Sequence, residues 1–220
     1  GSTQMVARPL GETQVKLVNE LEYGTARRVV NGIAVYSTAP AGKAKFIQIN
    51  GPSKVLAGEK VTYTISGYDE YYNPLQTDKV QVDWSASGAS AQFSGNVFSA
   101  QKPGKATITA KSGSATANKE VTVIDRSEIA AMTIRPSTTV VRNGDEVQLS
   151  VLVRLKDGTE RTVSGDLFQW EMKGFAGRVE GGKLVIEQIF EDTPSMLIAR
   201  YDGFSTVVPL YTGIDRVWAD

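Results

Sequence analysis

The chain has 220 residues, with 24 Lys plus Arg against 24 Asp plus Glu and neither Cys nor His. That length holds one large or two small domains. The missing Cys and His exclude disulfides and the usual zinc sites, and remove the commonest general base. The balanced charge gives no basic stripe for nucleic acid, and no apolar run approaches the length of a membrane-spanning helix.

Residues 1–38 open with short strand-like runs, Gln14–Val18 and Arg28–Val30. Asn31-Gly32 comes next as a tight-turn dipeptide, and Ile33–Thr38 reads as a further strand. Three short strands cannot form a stable core alone, so this segment belongs to something larger or packs on the domain after it. Ala39-Pro40-Ala41-Gly42-Lys43 has the composition of a linker.

The remainder is a repeat. Val55-Leu-Ala-Gly58-Glu-Lys-Val61-Thr-Tyr63-Thr-Ile65 runs on to Val82-Asp-Trp84. At a constant offset of 86 residues, Val141-Arg-Asn-Gly144-Asp-Glu-Val147-Gln-Leu149-Ser-Val151 runs on to Phe168-Gln-Trp170. A period of that size suits one small all-β domain. Val61, Tyr63 and Ile65 alternate with Thr62 and Thr64, and Val80, Val82 and Trp84 alternate likewise, as half-buried strands require. About seven short strands per repeat predict an immunoglobulin-like sandwich. The spacing also places Leu184–Ile186 where the first repeat has Phe98–Ala100. Ile124–Glu128 joins the repeats without Gly or Pro, which predicts a joint with restricted swing.

Several residues call for a functional reading. Trp84 and Trp170 stand at equivalent inward positions, so both are expected in sandwich cores rather than on sugars. Tyr68, Asp69, Tyr71, Tyr72 and Asn73 cluster before Pro74, with no similar wording in the second repeat. They are the candidate ligand-binding residues, with docking onto the preceding linker as the alternative. The adjacent Asp69 and Glu70 supply oxygen atoms of the kind calcium takes, but lack a metal-binding spacing, so no metal is assigned. Glu187, Glu191 and Asp192 surround Ile189-Phe190. Paired carboxylates can act on glycosides, yet the setting points to a structural loop. Trp218 belongs to the tail.

Two resemblances add to this. Gly1-Ser2-Thr3-Gln4-Met5-Val6, then Val18-Asn19 and Arg28–Pro40, resembles the closing part of the phosphodiester glycosidase family, which removes N-acetylglucosamine from a phosphodiester. The resemblance covers about the first 40 residues. It implies that Gly1, Ser2 and Thr3 are the end of a glycine-rich catalytic motif whose aspartate and first glycines are absent here. It also implies that a catalytic domain lies upstream and that an envelope glycan is the whole protein's partner. The second resemblance covers roughly residues 44–213. Gly67-Tyr68-Asp69, Asn73-Pro74-Leu75 and Val82-Asp83-Trp84, with Asp157-Gly158-Thr159, Val163-Ser164 and Trp170, resemble bacterial immunoglobulin-like domains of the adhesin and surface-layer type.

The expected organisation is an all-β chain. Residues 1–40 are a glycosidase-like remnant, 44–124 and 129–213 tandem immunoglobulin-like sandwiches, and 214–220 a tail. Ser2 and Thr3 have no base or oxyanion partner within the chain, so it is not expected to catalyse alone. No cofactor, nucleic-acid partner or membrane insertion is expected, the oligomeric state stays open, and the expected location is the bacterial cell surface. Three functions stay open: a spacer holding a glycosidase-like enzyme at the envelope, a carbohydrate-binding module using Tyr68, Tyr71 and Tyr72, and a structural surface-layer or adhesin segment without an enzyme.

Overall fold

The computed structural model describes residues 42–212 in full, together with the backbone of three earlier strands. These are β1 (Met5–Pro9), β2 (Arg27–Val30) and β3 (Ile33–Ser37), which form an antiparallel sheet in the order β1-β3-β2. Val30 pairs with Ile33, and both Asn31-Gly32 and Gln14–Val18 lie outside the described residues.

The chain divides into two compact units between Val123 and Ile124. The first contains β4 (Ala44–Asn50), β5 (Lys54–Leu56), β6 (Val61–Thr62), β7 (Thr64–Asp69), β8 (Asp83–Ser87), β9 (Ala91–Ser94), β10 (Val97–Ala100), β11 (Gly104–Ser112) and β12 (Ala115–Ile124). One layer is β5-β12-β11-β8, and the other is built from β4-β7 and β6-β10-β9. The second layer is interrupted at Tyr63, where Tyr63 N donates to Asn96 O at 3.0 Å and Asn96 Nδ2 donates to Tyr63 O at 3.2 Å.

The second unit contains β13 (Ile129–Pro136), β14 (Val140–Val141), β15 (Glu146–Leu155), β16 (Glu160–Ser164), β17 (Gln169–Lys173), β18 (Phe175–Glu180), β19 (Lys183–Ile189), β20 (Ser195–Tyr201) and β21 (Phe204–Thr212). One layer is β13-β15-β19-β18 with β16 on β15, and the other is β14-β21-β20-β17. The opening run of the unit changes layers between β13 and β14, and β14 pairs in parallel with the last strand. Each unit is an immunoglobulin-like sandwich. Among the described residues the only helical turns are Arg126–Glu128 and Gly165–Leu167, both 3₁₀.

Alternation builds both cores. In β15, Val147, Leu149, Val151, Val153 and Leu155 are buried, with more open residues between them. The first core is aromatic: Tyr63 and Phe98 meet edge to face at 5.7 Å, and Phe93 and Phe98 at 5.5 Å. At the same positions the second core is aliphatic, with Leu149 and Leu184 completely enclosed. The exchange is balanced by volume, because Ala100 in the first unit becomes Ile186 in the second. Tyr63 satisfies its hydroxyl by donating to Pro52 O at 2.7 Å.

The constant offset seen in the sequence is a shared backbone. Gly58 and Gly144 both adopt left-handed φ, 85° and 86°, where a side chain would be strained. Gly58 N donates to Ala100 O at 2.8 Å, and Gly144 N to Ile186 O at 2.7 Å. The acid after each glycine folds back onto the turn: Glu59 Oε1 accepts from Leu56 N at 3.0 Å, and Asp145 Oδ2 from Arg142 N at 2.8 Å. Each tryptophan lies opposite an alanine, Trp84 opposite Ala110 and Trp170 opposite Ala199. Those alanines are 89 residues apart while the tryptophans are 86 apart, so the second unit gains three residues in the region that includes Glu191–Pro194.

Candidate functional site

The stretch Tyr68–Pro74 leads directly out of β7. Its backbone is a five-residue turn, with Asp69 N donating to Asn73 O at 3.0 Å and Tyr72 N to Asp69 O at 3.1 Å. The second unit closes the same turn with Leu155 N to Thr159 O at 2.8 Å and Gly158 N to Leu155 O at 2.9 Å. The wording differs between the repeats, but the backbone recurs. Tyr72, at φ 62°, therefore occupies the left-handed position that Gly158 fills at φ 90°, a conformation costly for a bulky residue.

The side chains of this turn divide into two sets. Asp69 is 2% exposed and Asn73 is fully buried. Asp69 Oδ1 accepts from Tyr71 N and Asn73 N, both at 2.8 Å. Its Oδ2 accepts from Gly42 N at 2.8 Å and Asn73 Nδ2 at 2.9 Å. Four N–H donors thus surround a buried carboxylate, and one of them belongs to the incoming chain. Gly42 is small enough for this approach: a Cβ there would lie 3.2 Å from the Tyr71 ring and 3.3 Å from Glu70 Oε1. Because the Asn73 amide must point its NH₂ at Asp69, its Oδ1 is left buried with no donor among the described residues.

The tyrosines face elsewhere. Tyr71 is half-buried, while Tyr68 and Tyr72 are 49% and 45% exposed. The fold thus separates Asp69 and Asn73, turned onto backbone, from Tyr68 and Tyr72, turned to solvent. Across the β4–β7 register Tyr68 pairs with Phe46, which is 58% exposed. Phe46 is absent from the sequence candidates. Its signal is the phase of β4: Ile47 and Ile49 are half-buried, so Phe46 falls on the outward face with Gln48. A depression of about 430 Å³ opens beside this pair, bounded by Gln48, Ser66, Leu75 and Thr77.

Trp84 is half-buried against the first core, 5.3 Å from the Phe93 ring. Trp170 is half-buried beside Phe168, and its Nε1 donates to Gly165 O at 2.7 Å. Glu187 accepts from Arg178 at 2.8 Å, and Arg178 also reaches Glu180 at 3.1 Å. These carboxylates hold the Arg178 guanidinium above its ordinary pKa. Glu191 and Asp192 instead line an open depression with Phe190 and Arg142, which Glu187 does not share. No group of three or more acidic residues able to hold a metal occurs among the described residues. Gly1, Ser2, Thr3 and Trp218 lie outside them.

No protein-family model and no curated protein matches the chain. Among solved structures it is similar to domains 5–6 of the S-layer protein SbsC, at 16% identity and TM-score 0.38, covering 77% of this chain and 97% of that one. It is similar to domains 4–9 of the surface layer protein SbsC at 14% identity and TM-score 0.40, covering 96% of this chain but 38% of that one. A third is the Yersinia pseudotuberculosis adhesin InvE, at 12% identity and TM-score 0.29, covering 74% of this chain and 58% of that one. Scores this low transfer none of those proteins' functions. The sandwich assignment stands on the strand pairing and packing of the two units.

Proposed function

We propose that the two sandwich units are a structural segment of a bacterial cell-surface protein of the surface-layer or adhesin kind. The observation that carries this reading is the fate of the repeated residues. Gly58 and Gly144, with Glu59 and Asp145, all serve backbone turns, and Asp69, the most enclosed carboxylate among the described residues of the first unit, fastens the incoming Gly42. Polar groups committed to holding backbone suit a segment that keeps its shape and fixes where a neighbouring domain starts. A finer version places a phosphodiester-glycosidase-like domain before residue 1, for which these units act as spacer. That version rests on the wording of residues 1–40 alone.

Protease shaving of intact cells tests the location. Peptides from residues 44–212 should be released without lysis, and their recovery only after lysis would sink the surface reading. For the enzyme, the coding sequence upstream of Gly1 should carry an Asp-Gly-Gly run and a catalytic domain. The purified 220-residue chain should leave an N-acetylglucosamine phosphodiester intact. Turnover by that chain would overturn the purely structural role.

A further inference from the structure

We infer that the outer face of β4 and β7 is a binding site for an uncharged glycan chain. This goes beyond the structural role and does not depend on it. Phe46 and Tyr68 are registered cross-strand neighbours, 58% and 49% exposed, and such neighbours project side by side from one face. The sandwich does not require them. In the second unit the corresponding registered pair is Ala131 and Arg154, one small and one charged. Two large rings kept in water by one unit and dispensed with by the other mark a recognition surface rather than scaffold.

The depression beside the rings defines the ligand class. It exists because the strand after the turn is curtailed. In the second unit β16 pairs with β15 over five residues, from Glu160 to Ser164. The first unit keeps an isolated Tyr68–Pro74 bridge and a bond from Leu75 N to Gly67 O. No charged side chain lines the resulting groove, although 22% of the chain is charged. Charge complementarity therefore selects a neutral occupant. Gln48, Ser66 and Thr77 provide amide and hydroxyl groups around the apolar rings and Leu75, the mixture that orients a polar ligand over an apolar floor. Asn50 Nδ2 donates to Ser66 Oγ at 3.1 Å, which leaves the Ser66 hydroxyl proton to donate outward. A sugar ring matches this arrangement, with C–H faces for the aromatics and equatorial hydroxyls for the polar rim.

The test is an amide NMR titration of the full chain with tetramers of glucose, mannose and N-acetylglucosamine. Saturable shifts at Gln48, Ser66, Tyr68 and Thr77 with at least one tetramer are expected. Phe46→Ala with Tyr68→Arg copies the pair of the second unit, so the variant should fold, and its affinity should fall by about tenfold or more. Gln48→Ala with Thr77→Ala, which leaves both rings, should also weaken binding and guards against a misfolded first variant. Absence of saturable shifts with all three tetramers overturns the proposal. So do shifts that persist in both variants, or shifts that appear only with rising protein concentration and mark self-association.

Discussion

Asp69 organises more backbone than any other described polar side chain of the first unit. It replaces the buried Leu155 of the second unit and gathers four N–H donors around one carboxylate. In Asp69→Asn one oxygen becomes an NH₂ donor, which faces either Gly42 N and Asn73 Nδ2 or Tyr71 N and Asn73 N, so two of the four donors meet a donor whichever way the amide turns. The substitution should destabilise the first unit by about 2–3 kcal/mol, the scale of losing charged hydrogen bonds and leaving buried donors unmet. Urea unfolding of the full chain checks this, and a change within measurement error would remove the anchor role. Tyr72 is the opposite case. Its left-handed backbone costs roughly 1–2 kcal/mol, and glycine, which fills this place in the second unit, loses about 0.5–1 kcal/mol to its freer unfolded chain. Tyr72→Gly should therefore stabilise the protein by up to about 1 kcal/mol, read as a higher melting temperature. A lower one would mean that contacts of the Tyr72 ring outweigh the strain.

Among the elements, the turn that leads into β6 and β15 is the best-defined device, because two different acids perform it. Glu59 and Asp145 reach back to the amide three residues earlier with side chains of different length. Asp145→Ala frees the Arg142 amide and should cost about 1 kcal/mol, the typical value for a lost side-chain cap. Chemical denaturation checks it, and Asp145→Glu should restore most of the loss. On the neighbouring layer Arg200 of β20 donates to Glu171 of β17 at 2.8 Å. That hydrogen bond holds the Glu171 carboxyl below its ordinary value of 4.5. With the folded value depressed, the pair's contribution is complete above pH 4.5 and is lost as pH falls through the lower folded value. A carboxyl-carbon NMR titration should show Glu171 protonating below that pH, and Arg200→Met should raise its midpoint towards 4.5.

At the scale of the whole molecule, each unit has its own enclosed core, and the chain divides at Val123. Calorimetry should therefore resolve two unfolding transitions, with Asp69→Asn shifting one and Asp145→Ala the other. A single transition moved equally by both would show that the units unfold together. The sequence by itself determined the all-β character and the turn that recurs at 86 residues, since a strict alternation can bury one face only as β, whereas the break at Tyr63 and the start of β8 at Asp83, after Val80 and Val82, came from the fold. The glycines of that turn were legible because few other residues tolerate positive φ. Tertiary structure alone decided which polar residues of Tyr68–Pro74 face inward. A carboxylate's role depends on which N–H groups surround it, and Gly42 reaches Asp69 across 27 positions of chain. It alone also paired Phe46 with Tyr68, because β4–β7 register is set by the fold and not by residue spacing. Local pattern fixes the elements, whereas a site is made by contacts between distant parts of the chain.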